Sequence, residues 1–451
     1  MQAKALPAFP GAEGFGSETP GGRGGKVYLV TNLNDAGPGS FRDACQAEGP
    51  RIVVFRVGGT IVLKSGVHIK HPYITVAGQS APGGGIALRN DPSHGDAPLR
   101  IHTHDVVIRY LRVRPGASKK PSSNVDAIGI EHGAARVIVD HCSLSWSTDE
   151  TFQLWSDPND ITLQWSFVTE ALHHSTHPHG AHSKALLLGS KGCKRVSVHH
   201  ILLAHNDERN PRVGMSGVAD FVNNVIYNPD VMCHMTDDFA QQKLNYVGNY
   251  VKLGPDSKTV PPVPESSRYE VFAWEKGGFG FSIFVHDNIG PHRPHGDMPE
   301  SAVVDPRDHR YLTTVRHKAP PVTTVSATEA FNLVLERAGA TLPRRDAVDA
   351  RIVHEVRTGT GRVIDDPSQV GGWPDLAAGK PPVDSDNDGM PDDWENKHGF
   401  NLNEVSDNKD DLDGDGYTNI EEYLNATNPH VAERVCVPTP HLKQLATRPN
   451  S

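Results

Sequence analysis

Cysteine is scarce in this chain: five in 451 residues (Cys45, Cys142, Cys193, Cys233 and Cys436), widely spaced, odd in number and without a Cys-x-x-Cys pair. That argues against a disulfide scaffold or a zinc knuckle and leaves small, buried, apolar side chains as the expectation. Long apolar runs are also missing. Stretches such as Ala185-Leu186-Leu187-Leu188 fall far short of the roughly 18 to 20 residues that a membrane helix needs. Met1-Gln2-Ala3-Lys4-Ala5-Leu6-Pro7 has no apolar centre of a secretion leader, which leaves a cytosolic chain or one whose leader has been removed. With 37% hydrophobic and 22% charged residues the chain is no disordered polymer. It is too long for one ordinary core, so an elongated domain with an appendage, or two to three domains, is expected.

What is abundant is glycine and proline, 43 and 35 residues, as suits an all-β protein with many turns. Charge is unevenly spread. The formal net charge is −10, yet Asp384 to Asn428 holds fourteen Asp or Glu against two Lys. The main body is therefore near neutral and would not repel a polyanion, whereas the acidic segment is suited to cations.

One pattern recurs: a short apolar stretch, an interruption by Asn, His or Ser, and a second apolar stretch. Segments beginning at Val106, Val137, Ile161, Val196, Ala219, Leu244 and Ser282 share it, with starts 31, 24, 35, 23, 25 and 38 residues apart. Such spacing fits a coil of short parallel strands whose turns carry insertions, with inward Asn or Ser stacking in ladders. The fold class expected is all-β, a right-handed parallel β-helix with a small C-terminal calcium-binding helical-loop module. An antiparallel sandwich would lack the repeated template.

The expected organisation is a β-helix over 5–318, an extension over 319–380 packing back on it, an acidic module over 381–430 and an irregular tail over 431–451. Ser326 to Gly339 has helical periodicity behind a Ser-x-x-Glu start signal.

In the acidic module, Asp384, Asp386, Asp388, Gly389 and Glu395 match the EF-hand loop D-x-[DN]-x-[DN]-G-x5-E, and Asp411, Asp413, Asp415, Gly416 and Glu422 match it again. Alternate carboxylates supply oxygens to calcium and the glycine permits the turn. The seventh positions, Met390 and Tyr417, offer carbonyls, Asp392 and Asn419 stand ninth, and each glutamate can bind through both oxygens. The module resembles the thrombospondin type 3 or dockerin-like appendages of secreted enzymes. This favours a secreted or extracellular protein; the dockerin-like variant would add a cohesin partner.

Phe9-Pro10-Gly11-Ala12-Glu13-Gly14-Phe15-Gly16, the glycines around Arg23, Gly37-Pro38-Gly39-Ser40-Phe41-Arg42, Val137-Ile138-Val139-Asp140-His141-Cys142-Ser143 and Arg209-Asn210-Pro211-Arg212 together resemble polysaccharide lyase family one, the pectate lyase superfamily, over roughly residues 9 to 290. The resemblance implies a pectate lyase that cleaves α-1,4-linked polygalacturonate by calcium-assisted β-elimination, giving 4,5-unsaturated oligogalacturonates. It places Asn124, Asp126, Asp149 and Gln153 on the family's calcium positions, two of them amides here. Lys184 falls on the lysine for the substrate carboxylate, Arg209 on the base, and Arg212 near a second arginine for which Gly214 aligns literally. Removing a weakly acidic proton beside a carboxylate needs that charge neutralised and a base within reach of it, and an arginine base implies an alkaline optimum.

Asp140 and His141, on a strand, read as a hydrogen-bonding scaffold. The stretch His173 to His182 reads as a polar loop lining the groove, a transition-metal site being the alternative, since its spacing fits no closed zinc site. The implied cofactor is Ca2+ and the implied partner an acidic polysaccharide, polygalacturonate or pectin; neither nucleic acid nor membrane is implied, and a monomer is expected. The rival readings are a pectin lyase acting on methylated substrate and a non-catalytic carbohydrate-binding β-helix.

Overall fold

The computed structural model describes residues 6–257 and 268–433. Short strands there wind through three parallel sheets, in regular rotation after the first two strands, which both lie in the ten-stranded sheet. A ten-stranded sheet runs from Lys26–Val30 to Phe281–His286 and includes Ala135–Asp140 and Asn159–Gln164. An eight-stranded sheet runs from Gly59–Leu63 to Tyr250–Lys252. The other eight-stranded sheet runs from Val67–Ile69 to Val271–Trp274, and it carries the groove. This is a parallel β-helix, its interior one continuous core of Val, Ile, Leu and Phe.

The recurring sequence template is one corner of the coil. Tyr110, His141, Trp165, His200, Asn223, Gly248 and Asp287 all sit there at positive φ, between 46° and 62°. Holding a non-glycine residue in that region costs on the order of 1–3 kcal/mol, and stacking between coils offsets it. Tyr110 lies on His141 with ring centroids 4.9 Å apart and Trp165 on His200 at 4.3 Å. The next residue turns inward, and there Asn224, Asn249 and Asn288 form an amide ladder. Asn224 Nδ2 donates to Asn249 Oδ1 at 3.0 Å, and Asn249 Nδ2 to Asn288 Oδ1 at 3.1 Å. The register pairs Leu244 with Ile283, so the last template begins one residue later than Ser282, because inward parity must keep Ile283 in the core.

Both ends are covered. Helix α1 (Phe41–Gln46) puts Phe41, Ala44 and Cys45 into the core at the first coil. Arg51, wholly buried beside it, donates to the carbonyls of Ala44, Cys45, Gly49, His71 and Pro72. Val303 and Val304 close the other end. The N-terminal Gly-rich segment lies over the ten-stranded sheet, where Gly16 N donates to Thr162 Oγ1 at 2.9 Å; a side chain at Gly16 would collide with the Val137 carbonyl. Cys45, Cys142, Cys193 and Cys233 are buried and unpaired, and Cys436 lies outside the described residues, as does the tail from 434 on.

From residue 319 the chain travels back along the coil. Helix α2 (Ala327–Arg337) begins at Ser326, whose Oγ accepts from Glu329 N, and packs with helix α3 (Ala347–Thr358) on Phe167, Leu202, Val225 and Tyr227. Helix α3 was not anticipated, although Asp346 caps it and Val348, Ile352 and Val356 bury one face. Its N-terminal Asp346 and Asp349 meet the buried Arg114 at 2.5 and 2.8 Å. Gly84 N then donates to Ala377 O at 2.8 Å. The acidic segment, with helices α4 (Asp392–His398) and α5 (Asn419–Asn425), sets Met390 and Ile420 on Ile52 and Val54 of the first coils. Arg56–Asp384 (2.6 Å) and Arg23–Glu421 (2.9 Å) flank that contact.

Candidate active site

The groove of about 640 Å³ lies along the third sheet and its adjoining loops. Asp126 precedes the strand Ile128–Glu131, Asp149 precedes Glu150–Trp155, Lys184 opens Lys184–Ser190 and Arg209 precedes Arg212–Met215. Stacking of the coils converts sequence separation into proximity: Glu150 is registered with Lys184, and Lys184 is bridged to Glu208. The left-handed backbone of Ser183 and Arg209 shapes the turns there, and Leu186 N donates to Arg209 O at 2.9 Å.

Asp126, Asp149 and Glu150 bring one carboxylate oxygen each within 4.8 Å of one another, all three residues being buried. Burial first, and then Asp149, push the Asp126 carboxyl well above its usual range, against the pull of Arg100. Gln153 Nε2 donates to Asp126 Oδ1 at 3.4 Å and to Glu150 Oε2 at 3.2 Å. Such an oxygen-only, charge-crowded set suits a hard divalent cation. Asn124 is exposed on the groove wall, its carbonyl accepting from Arg100 at 3.1 Å.

Arg209 pairs with Glu150, Lys184 with Glu208, and Arg212 with Asp238 at 3.2 Å. Burial, and then Arg212, push the Arg209 guanidinium down to about 10, while Asp149 and Asp126 resist. Glu150 also resists: while the pair stands, the guanidinium stays charged. Burial lifts the Glu208 carboxyl, but Lys184 outweighs it and the net shift is downward.

Sequence reasoning missed Glu150. It follows Asp149 directly, and only the strand's start brings both residues to the same cluster. The groove continues past the half-exposed Trp155 towards Asp238 and Phe239. His177, His179 and His182 line it, with His182 Nε2 2.9 Å from Asp149 Oδ1.

Asp140 ends a strand of the ten-stranded sheet, His141 follows it at the corner, and neither lines this groove. The Asp140 carboxylate takes His141 (2.8 Å), Arg109 (2.8 Å) and Gln164 (2.8 Å), and Arg109 reaches Asn425 of α5 at 2.7 Å.

In the acidic segment, oxygens of Asp384, Asp386, Asp388, Glu395, Asp413, Asn419 and Glu422 are buried with no hydrogen-bond partner. Asp411 and Asp415 accept backbone N–H groups, among them those of Gly416 (2.8 Å) and Tyr417 (2.9 Å), and Met390 N donates to Asp388 at 2.7 Å. Burial and crowding by its acidic neighbours push Asp388 up to about 8, and likewise Glu395 and Glu422 to about 7. Both oxygens of Asp392, at the ninth position, accept from Ser385, from N and from Oγ at 2.7 Å each. Asp407, outside both loop motifs, has a buried unpartnered oxygen and is crowded by Asp386.

Fold and site together define a parallel β-helix protein with an acidic, arginine-bearing groove. No protein-family model matches the chain. It is 37% identical over 435 residues to "Probable pectate lyase C" of Aspergillus flavus, covering 94% of this chain and 95% of that protein. The protein of the same name from Emericella nidulans is 35% identical over 441 residues, 96% of each chain. The solved thermostable pectate lyase PL 47 superposes with a TM-score of 0.53 at 14% identity, over 75% of this chain and 98% of that one, and shares the fold. The chain belongs to the pectate lyase family.

Proposed function

We propose that the protein is a pectate lyase that cleaves α-1,4-linked polygalacturonate by β-elimination, leaving a 4,5-unsaturated uronate end. The observation that carries this reading is the pairing of Arg209 with Glu150 in the groove, beside Asp149 and with Asp126 in the same carboxylate cluster, while Lys184 is registered with Glu150 on the neighbouring strand. Asp126, Asp149 and Glu150, with the side-chain oxygens of Gln153 and Asn124, would hold calcium, which when bound neutralises the uronate carboxylate and stabilises charge building up beside it.

Lys184 orients a uronate carboxylate, exchanging its contact with Glu208 for one with substrate. Arg209, freed from Glu150 and neutral, takes the proton from C5. The electron pair forms the C4–C5 double bond as the C4–O bond breaks, and the departing oxygen is protonated from solvent. Arg212 lowers the proton affinity of Arg209 and offers a second cation to the polymer.

The two acidic loops hold calcium in a structural role, through Asp384, Asp386, Asp388, Glu395 and Asp407 in one and Asp411, Asp413, Asp415, Asn419 and Glu422 in the other, with Met390 and Tyr417 contributing carbonyls. Buried oxygens without partners support this, since unpaired polar atoms are costly unless a cation satisfies them. No helix among the described residues is long and apolar enough to cross a membrane. Structural calcium loops of this kind favour an extracellular enzyme.

The deciding experiment is ultraviolet absorbance of unsaturated product on polygalacturonate and on methylated pectin, with calcium and with chelator. Growth on polygalacturonate that chelator abolishes is the expected result. Growth on methylated pectin alone, surviving chelator, would identify a pectin lyase instead.

A further inference from the structure

A second group of metal-competent side chains lies at the other end of the same groove, and none of its members belongs to the elimination machinery. His102 follows the strand Leu99–Ile101, and Glu131 and His132 end the next coil. Thirty positions apart in sequence, the two histidines become neighbours because the coils stack: Ile101 is registered with Ile130, so the residues that follow them, His102 and then Glu131 and His132, lie side by side. His102 Nε2 stands 3.5 Å and His132 Nε2 3.7 Å from the same atom, Glu131 Oε2, and the three ligand atoms lie within 4.8 Å of one another. The two rings meet at 84°, edge to face, with centroids 4.9 Å apart, which suits in-plane lone pairs converging on one point.

Other details favour an ion there. His102 Nε2 is buried and faces Glu131 Oε2 at 3.5 Å. The other oxygen, Glu131 Oε1, is taken by Arg100, which orients the carboxylate as second-partner contacts do in metal sites and leaves Oε2 to the histidines. His68, one coil earlier, meets His102 edge to face with centroids 5.2 Å apart and backs its ring. Arg100 is the opposing charge, and Asp96 (2.5 Å) and Asp126 (3.4 Å) balance it.

The competing set, Asp149 with His177 and His182, is chemically less apt. His177 Nδ1 accepts the backbone N–H of His179 at 3.2 Å, so in the neutral ring the Nε2 facing Asp149 carries the proton.

We propose that His102, Glu131 and His132 bind a first-row divalent transition ion of the zinc type, whose open coordination position grips a uronate carboxylate of the polymer lying in the groove. Two imidazoles and one carboxylate suit zinc, cobalt or nickel and not calcium, which takes oxygens. Three protein ligands with one position left open is the arrangement of zinc sites that receive a further ligand. Ligand bonds to such an ion are about 2.0–2.2 Å long, and both imidazole nitrogens already stand within 3.7 Å of Glu131 Oε2. The carboxylate grip rests on the polygalacturonate reading above; binding of the ion itself does not.

The test is Co2+ titration of the full chain in excess calcium, which occupies the oxygen sites, read by the ligand-field spectrum. One equivalent of bound cobalt with low-coordinate absorption is expected, displaced by Zn2+. It should vanish in His102→Gln and in His132→Asn, the latter chosen because Asn tolerates the left-handed backbone at His132. It should persist in His179→Ala. A spectrum that stays aqueous, or survives both variants, overturns the ion site. Protection of His102 and His132 from diethyl pyrocarbonate by Zn2+ in the unaltered protein, read by peptide mass, tests the site without any variant, and failure to protect counts equally against it.

The grip is read separately, by calorimetry with trigalacturonate on the Arg209→Ala protein. Zinc should tighten binding at least tenfold and should do nothing in His132→Asn. Binding that strengthens at acid pH without metal would mean a patch of protonated histidines and overturn the grip.

Discussion

Arg209 and Glu150 form an ion pair in which the base candidate is held by one member of the carboxylate cluster that faces it. The pair makes the two functions of the groove interdependent: whatever draws Glu150 toward a cation releases the guanidinium. Arg209→Ala is expected to lower kcat by about 10²–10⁴-fold, the usual range for a lost general base, with a much smaller change in KM on polygalacturonate.

The pH profile follows from the same neighbourhood. The guanidinium, pushed down to about 10 by burial and Arg212, gains its neutral form as pH rises, and Asp126, whose carboxyl is pushed up, loses its proton in the same direction. Both changes favour alkaline conditions. The rate at saturating calcium should climb with pH up to about 10, the position to which Arg209 is shifted. A maximum at acid pH would exclude Arg209 as base.

Glu150→Gln separates the two roles of that side chain. Removing an anion beside a cation lowers the cation's proton affinity, so the rising limb of the pH profile should move to lower pH. The calcium needed for half-maximal rate should rise by about tenfold, the consequence of losing about 1.4 kcal/mol from the ion's shell. Calcium titrations of the rate at several pH values measure both.

Chelation should act on stability as well as on rate. A ligand at 100 times its Kd adds about 2.7 kcal/mol, so two occupied loops predict a thermal midpoint lower by several degrees in chelator. Glu395→Gln and Glu422→Gln should each reproduce part of that loss while leaving the calcium-saturated rate per folded molecule unchanged. Differential scanning calorimetry with matched activity assays is the check.

Asp140 provides a contrast. Its buried carboxylate holds His141, Arg109 and Gln164. Breaking such a network by removing one partner costs about 3–5 kcal/mol. Asp140→Asn should therefore lower the denaturation midpoint strongly and leave the specific activity of the folded fraction intact.

The coil was legible in the sequence because its corner makes two local demands at once, a residue tolerant of positive φ and an apolar or amide neighbour turned inward. His141-Cys142 and Asn223-Asn224 satisfy both. Helix α3 escaped notice because its cap, Asp346, follows Pro343, Arg344 and Arg345, which reads as a connection. Glu150 and Asp407 escaped for another reason. Each lies outside the spacing of a known ligand pattern, and only the stacking of coils or the folding of one loop over the other brings it to its cluster. His102, Glu131 and His132 share that origin: no local pattern marks them, and their meeting depends on register alone.

The returning strap has a consequence for how the chain is made. Arg23 meets Glu421, its partner 398 positions later, and Arg56 meets Asp384. At roughly 5–20 residues per second of synthesis, the first coils wait about 20 to 80 s for the segment that covers their outer face. During that interval Ile52 and Val54 are bare, and a nascent solenoid with an uncovered apolar surface invites a chaperone or a neighbouring chain. Once the acidic segment lands, fraying of the first coil can no longer proceed by itself, because it must also detach a segment translated long after it.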